Sequence, residues 1–165
     1  MGDTTLRELV YGKGAHVDPI ACVEDIPAGL ATRTVTGYPH SIWQIVEHMN
    51  YWMEYEVRRI AGEHPSYPAH AIESWPAHPY PAGEEPWQAT RQRFVDLLAR
   101  LASLAESDEA ALKRIVPADN PASKSSTVGA ALLQITAHNS YHAGQIAMLR
   151  RQFKAWPPRR GGDTW

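Results

Sequence analysis

The segment "HNSYHAGQI", residues 138–146, places His138 and His142 four residues apart. On a helix that spacing sets two imidazoles one above the other on a single face. Neutral imidazole is the commonest nitrogen ligand of a divalent cation, so the pair is a candidate half-site for a metal. With eight histidines in 165 residues, roughly 0.4 such pairs arise by chance, so a third ligand must come from elsewhere. The competing reading is two core histidines hydrogen-bonded to neighbouring helices. His48 is the candidate third ligand. It follows Ile45 by three residues and precedes Trp52 by four, which puts it at the edge of an apolar helical stripe. Three protein ligands leave coordination positions for water or substrate, the arrangement of a catalytic rather than a closed structural site.

Helices must carry these residues. The segment Val128, Ala131, Ile135, His138, His142, Gln145, Leu149 is an apolar stripe with polar residues at its centre, so the two histidines face the interior, where an unpartnered polar group costs a few kcal/mol. This helix is predicted to start after Ser125 or Ser126 and to reach about Phe153. The helix carrying His48 starts at Ser41, which with Gln44 forms a capping box, and ends near Ala61 with Gly62 beyond it. A third long helix is predicted over 85–106, where Phe94, Leu97, Leu98, Leu101 and Leu104 recur at helical spacing. A first, shorter helix covers 3–12, with Asp3 or Thr4 at its start. A further short one has Asp18 as N-cap and Pro19 at its first position. Residues 63–83 hold Pro65, Pro68, Pro76, Pro79 and Pro81 and show no period, so they read as a long loop. An extended connection of that length can return along a helix about 30 Å long and join parallel helices. "PADNPASKSS" is a second polar connection, and the tail from about 154 is irregular. No alternating strand pattern competes. The prediction is one all-α domain over 1–165, a four-helix bundle with long crossover loops.

Composition narrows the function classes. Apolar residues make up 44% and charged residues 21%, and 16 Lys+Arg against 18 Asp+Glu leave a net charge of −2. No general attraction to nucleic acid or anionic lipid follows. No apolar run reaches the ~20 residues of a membrane span. "MGDTTLRELV" lacks a cationic region followed by a hydrophobic one, so the expected location is cytoplasmic. The single Cys22 forms no intramolecular disulfide and reads as a small buried hydrophobe. A di-iron carboxylate bundle needs Glu-x-x-His motifs, and no histidine here has Glu three residues before it. Zincin, P-loop and nucleophile-elbow motifs are absent, and Gly12-Lys13-Gly14 is a turn. His64, His70 and His78 read as surface histidines of the loop. Trp75, Tyr80 and Trp87 read as packing residues that hold it down. Glu47, Asn50, Asn139 and Tyr141 adjoin the candidate ligands and could orient imidazoles. For Asn139 and Tyr141, however, helical phase favours ordinary interhelical hydrogen bonds.

"PHSIWQIVEHMNYW" and "AHNSYHAGQIAMLRR" together resemble the DinB/YfiT-like superfamily of metal-binding four-helix bundles. Its pattern is one His on the second helix and a His-x-x-x-His pair on the fourth, commonly followed by Gly-Gln-Ile or Gly-Gln-Leu. Here Gly144, Gln145 and Ile146 match that run. The resemblance implies His48, His138 and His142 as ligands of a divalent ion, zinc or nickel. It also implies an up-down-down-up bundle, a homodimer, and a reaction on a small-molecule substrate. That reaction would be thiol-dependent transfer, with a low-molecular-weight thiol as partner, or metal-dependent hydrolysis. A non-catalytic, metal-stabilised bundle or a small-ligand binding module is the alternative.

Overall fold

A computed structural model of the chain describes residues 4–77, 83–120 and 123–161. It is mostly helical: α1 Thr4–Val10, α2 Ala21–Glu24, α3 Ala28–Ala31, α4 Ile42–Ile60, α5 Glu84–Ala105, α6 Glu109–Lys113 and α7 Val128–Gln152. The long helix α4 packs against both α5 and α7, and α1 packs against the same two. No described helix is long and apolar enough to cross a membrane.

Local chemistry sets the ends of the site-bearing helices. Ser41 Oγ accepts from the Gln44 backbone N–H (3.3 Å) while the Gln44 side chain accepts from the Ser41 N–H (3.0 Å), which is the predicted capping box. At the other end Gly62 takes φ +90°, a conformation that disfavours a side chain. Thr127 caps α7 by accepting from the Ala130 N–H (3.1 Å). Between the helices Ile42, Met49, Met53, Phe94, Leu98, Leu101, Leu132 and Ile146 are all buried. Each such side chain contributes about 1.5–3 kcal/mol of transfer free energy. Arg150, also buried, donates to Asp25 (2.7 Å) and to the Cys22 (2.8 Å) and Ala155 (2.8 Å) carbonyls, fixing α2 and the tail to α7.

Several segments differ from the sequence reading. The first helix ends at Val10, and Gly12 and Gly14, both with positive φ, make the turn that follows. Helix α2 begins at Ala21 rather than Pro19. Asp18 instead accepts from the Ile20 N–H (2.8 Å), closing the turn before it. Helices α3 and α6, and a 3₁₀ turn over Ala71–Ser74 inside the Pro-rich connection, are additional. So is a two-residue antiparallel pair, β1 Ile115–Val116 with β2 Ser126–Thr127, in register Ile115 to Thr127. These pieces are too short for hydrophobic periodicity to register. Asp3, His78, Pro79, Tyr80, Pro81 and the final Gly-Asp-Thr-Trp lie outside the described residues.

Candidate metal centre

Helix α4 brings His48 and helix α7 brings His138 and His142 to one point. His138 Nε2 lies 3.2 Å from His48 Nε2 and 3.1 Å from His142 Nε2. His48 and His142 are 6% and 4% exposed, and His138 is half-buried. Two nitrogens bound to one cation at about 2.0–2.1 Å, at right to tetrahedral angles, stand roughly 2.8–3.4 Å apart. The observed separations fall in that range. Among the described residues no fourth His, Cys, Asp or Glu joins the cluster.

Proton positions strengthen the fit. Ser74 Oγ donates to the Ala71 carbonyl (2.7 Å), so both Ser74 oxygens act as acceptors toward His48 Nδ1, each at 3.1 Å. His142 Nδ1 donates to Gln145 Oε1 (2.7 Å). Each outer nitrogen thus carries the hydrogen, and each Nε2 presents a lone pair inward. A single hydrogen on His138 Nε2 cannot serve both facing lone pairs. A cation accepts all three lone pairs at once, and the donor set fits a divalent metal site. Burial pushes the His48 and His142 imidazoles down to about 4, against the opposing pull of their Nδ1 hydrogen bonds, and it lowers His138 as well. All three are therefore neutral, and able to ligate, at neutral pH.

The Pro-rich connection reaches the centre. The Trp75 indole stacks on His48 (centroids 3.8 Å apart, 7° between planes) and on His40 (3.6 Å, 10°). Two imidazoles at such distances cannot share one face, so the indole lies between them. A cavity of about 270 Å³ adjoins His138, and a second of about 410 Å³ is walled by His40 and by Gln145, the partner of His142.

All three predicted ligands therefore converge. Trp75 packs the loop down as anticipated, whereas Trp87 lies in α5 and is buried there, donating to the Ile26 carbonyl (2.6 Å). His64 and His70 are exposed. Cys22 is buried, and desolvation raises its thiol to about 12, which removes it as a nucleophile. Glu47 and Asn50 do not orient imidazoles. Both turn toward α5, where Glu47 accepts from Thr90 Oγ1 (2.6 Å) and Asn50 Nδ2 donates to the Thr90 carbonyl (3.1 Å). Asn139 is 3% exposed, more buried than its phase suggested, and its side chain acts on His138, raising that imidazole against the larger effect of burial. Tyr141 is exposed, with its ring edge-on to His142. His40 and Ser74 were not anticipated. Their contacts span the long connection, and no local spacing announces them.

Neither a curated protein nor a solved structure matches the chain. The DinB superfamily pattern matches residues 20–146, a span that contains all three histidines and most of the sequence. The chain belongs to the DinB superfamily.

Proposed function

We propose that His48, His138 and His142 hold one divalent ion, zinc or nickel, inside a four-helix bundle of up-down-down-up course, and that the protein is a metal-dependent enzyme. Its reaction is of the thiol-dependent transferase or the hydrolase type. The observation that carries this reading is the inward convergence of three imidazoles, His138 Nε2 standing 3.2 Å from His48 Nε2 and 3.1 Å from His142 Nε2, with Ser74 and Gln145 holding the outer hydrogens of His48 and His142. Bound there, the ion supplies acidification of a coordinated water or thiol, which gives a nucleophile near neutral pH. The chain's own part is positional. Ser74 and Gln145 fix ring orientation, Trp75 shields His48 from water, and the cavity beside His138 admits a small molecule. Three protein ligands, with no fourth among the described residues, favour an open site over a purely structural one. A homodimer and a cytoplasmic location belong to the same proposal.

The test is elemental analysis of the purified protein, followed by thiol-conjugation and ester-hydrolysis assays before and after chelation. One equivalent of metal, with turnover lost on chelation while the helical signal persists, is the expected result. Unfolding on chelation with no turnover in either state would favour the non-catalytic, metal-stabilised alternative.

A further inference from the structure

The cavity of about 270 Å³ beside His138 has an uneven charge. Trp52 and Tyr67 line it as aromatic walls, Gln134 and His138 supply neutral polar atoms, and Glu56 and Asp119 supply two carboxylates. Among the described residues, neither Lys nor Arg lines it. One guanidinium serves both acids. Arg59 Nη1 donates to Glu56 Oε1 (3.0 Å) and Oε2 (2.9 Å) and stands 3.4 Å from Asp119 Oδ2, while its Nη2 donates to the Pro117 carbonyl (2.9 Å). Asp119 also accepts from Tyr55 (3.0 Å), Ser123 (2.7 Å) and Asn120 Nδ2 (3.0 Å), so it contributes charge rather than an open acceptor. Glu56 and Arg59 are both buried, so bulk water screens this cluster little. Two carboxylates against one guanidinium leave about one negative charge when both are ionised. Burial raises the Glu56 carboxyl, against the opposing pull of Arg59.

We propose that this cavity binds a small organic ammonium, its cationic nitrogen at Glu56 and Asp119 between the Trp52 and Tyr67 rings, and its reacting end at His138. The inference rests on the metal-site reading above and adds the substrate class to it. The Glu56 oxygens share one Arg59 nitrogen and so keep lone pairs free for an ammonium, Asp119 adds negative charge beside them, and aromatic faces attract a desolvated cation. The same walls disfavour a carboxylate-bearing ligand, which would be buried against like charge.

Cobalt-substituted protein gives the test, because thiolate binding to cobalt produces a charge-transfer absorption. Cysteamine and 3-aminopropane-1-thiol are titrated against the matched neutral 2-mercaptoethanol and anionic 3-mercaptopropionate. The aminothiols should bind about tenfold more tightly than the neutral thiol, and the anionic one more weakly still. Glu56→Gln and Asp119→Asn, each checked for helical content, should erase that preference while cobalt stays bound. Equal affinities, or a preference surviving in both folded variants, would overturn the proposal. A second titration uses metal-free protein, with 2-phenylethylamine against 3-phenylpropionate followed by NMR. A preference for the amine there, without cobalt uptake, would sink the metal reading and leave the ammonium pocket standing. No preference in either titration removes the pocket.

Discussion

The two sides of helix α4 solve the same problem, buried polar side chains, in opposite ways. Toward α5, the donors around Thr90 each meet an acceptor. Trp43 Nε1 donates to Thr90 Oγ1 (3.1 Å), Thr90 Oγ1 donates to Glu47 (2.6 Å), and Asn50 donates to the Thr90 carbonyl (3.1 Å). Toward α7, three ring nitrogens face one another with too few hydrogens among them. On the first side the hydrogens find acceptors within the chain, with the Asn50 Oδ1 acceptor left over, and the second is closed only by adding positive charge. Counting hydrogens therefore separates a structural cluster from a ligand-binding one where residue type and burial alone do not.

The largest contrast should come from removing a ring. His142→Ala or His138→Ala is expected to abolish stoichiometric metal, measured by elemental analysis after dialysis. Full retention in either would make the two sides of α4 equivalent. Acid should act next. The folded His48 and His142 imidazoles sit at about 4, below their ordinary 6.5, so the unfolded chain binds more protons between those values. Stability from the neutral imidazoles is thus complete above about pH 6.5 and drains away as pH falls toward 4. Melting temperature against pH should show that slope in metal-free protein, and a steeper one with metal, whose binding needs deprotonated rings. A flat profile across the window would contradict the burial argument. The smallest effect belongs to the α5 side: Thr90→Val should cost about 1–3 kcal/mol in denaturant unfolding by stranding Trp43 and Glu47. Metal content should not change, and a loss of metal there would couple the two sides.

What could be read from sequence followed the range of the interaction. Ser41 and Gln44 lie one turn apart, and their reciprocal cap was legible; so was the phase that turns His138 and His142 inward. His48 could be placed on a buried edge, though not at a distance from the others, because its convergence depends on how α4 lies against α7. The polar neighbours misled for a physical reason. Glu47 and Asn50 stand one and two residues from His48, and on a helix those offsets point away from it. The groups that do hold the rings are Gln145, three residues from His142, and Ser74, which arrives through the Pro-rich connection. Only the first of these has a spacing that could be read in advance.

The contact between His48 and Ser74 has a consequence for how this chain can vary. One of the two acceptors that set the His48 tautomer is a peptide carbonyl, which every residue type possesses. Point changes at position 74 leave that oxygen in place, whereas an insertion or deletion between Gly62 and Trp75 shifts it out of register. The length of this connection is thereby constrained more tightly than its spelling.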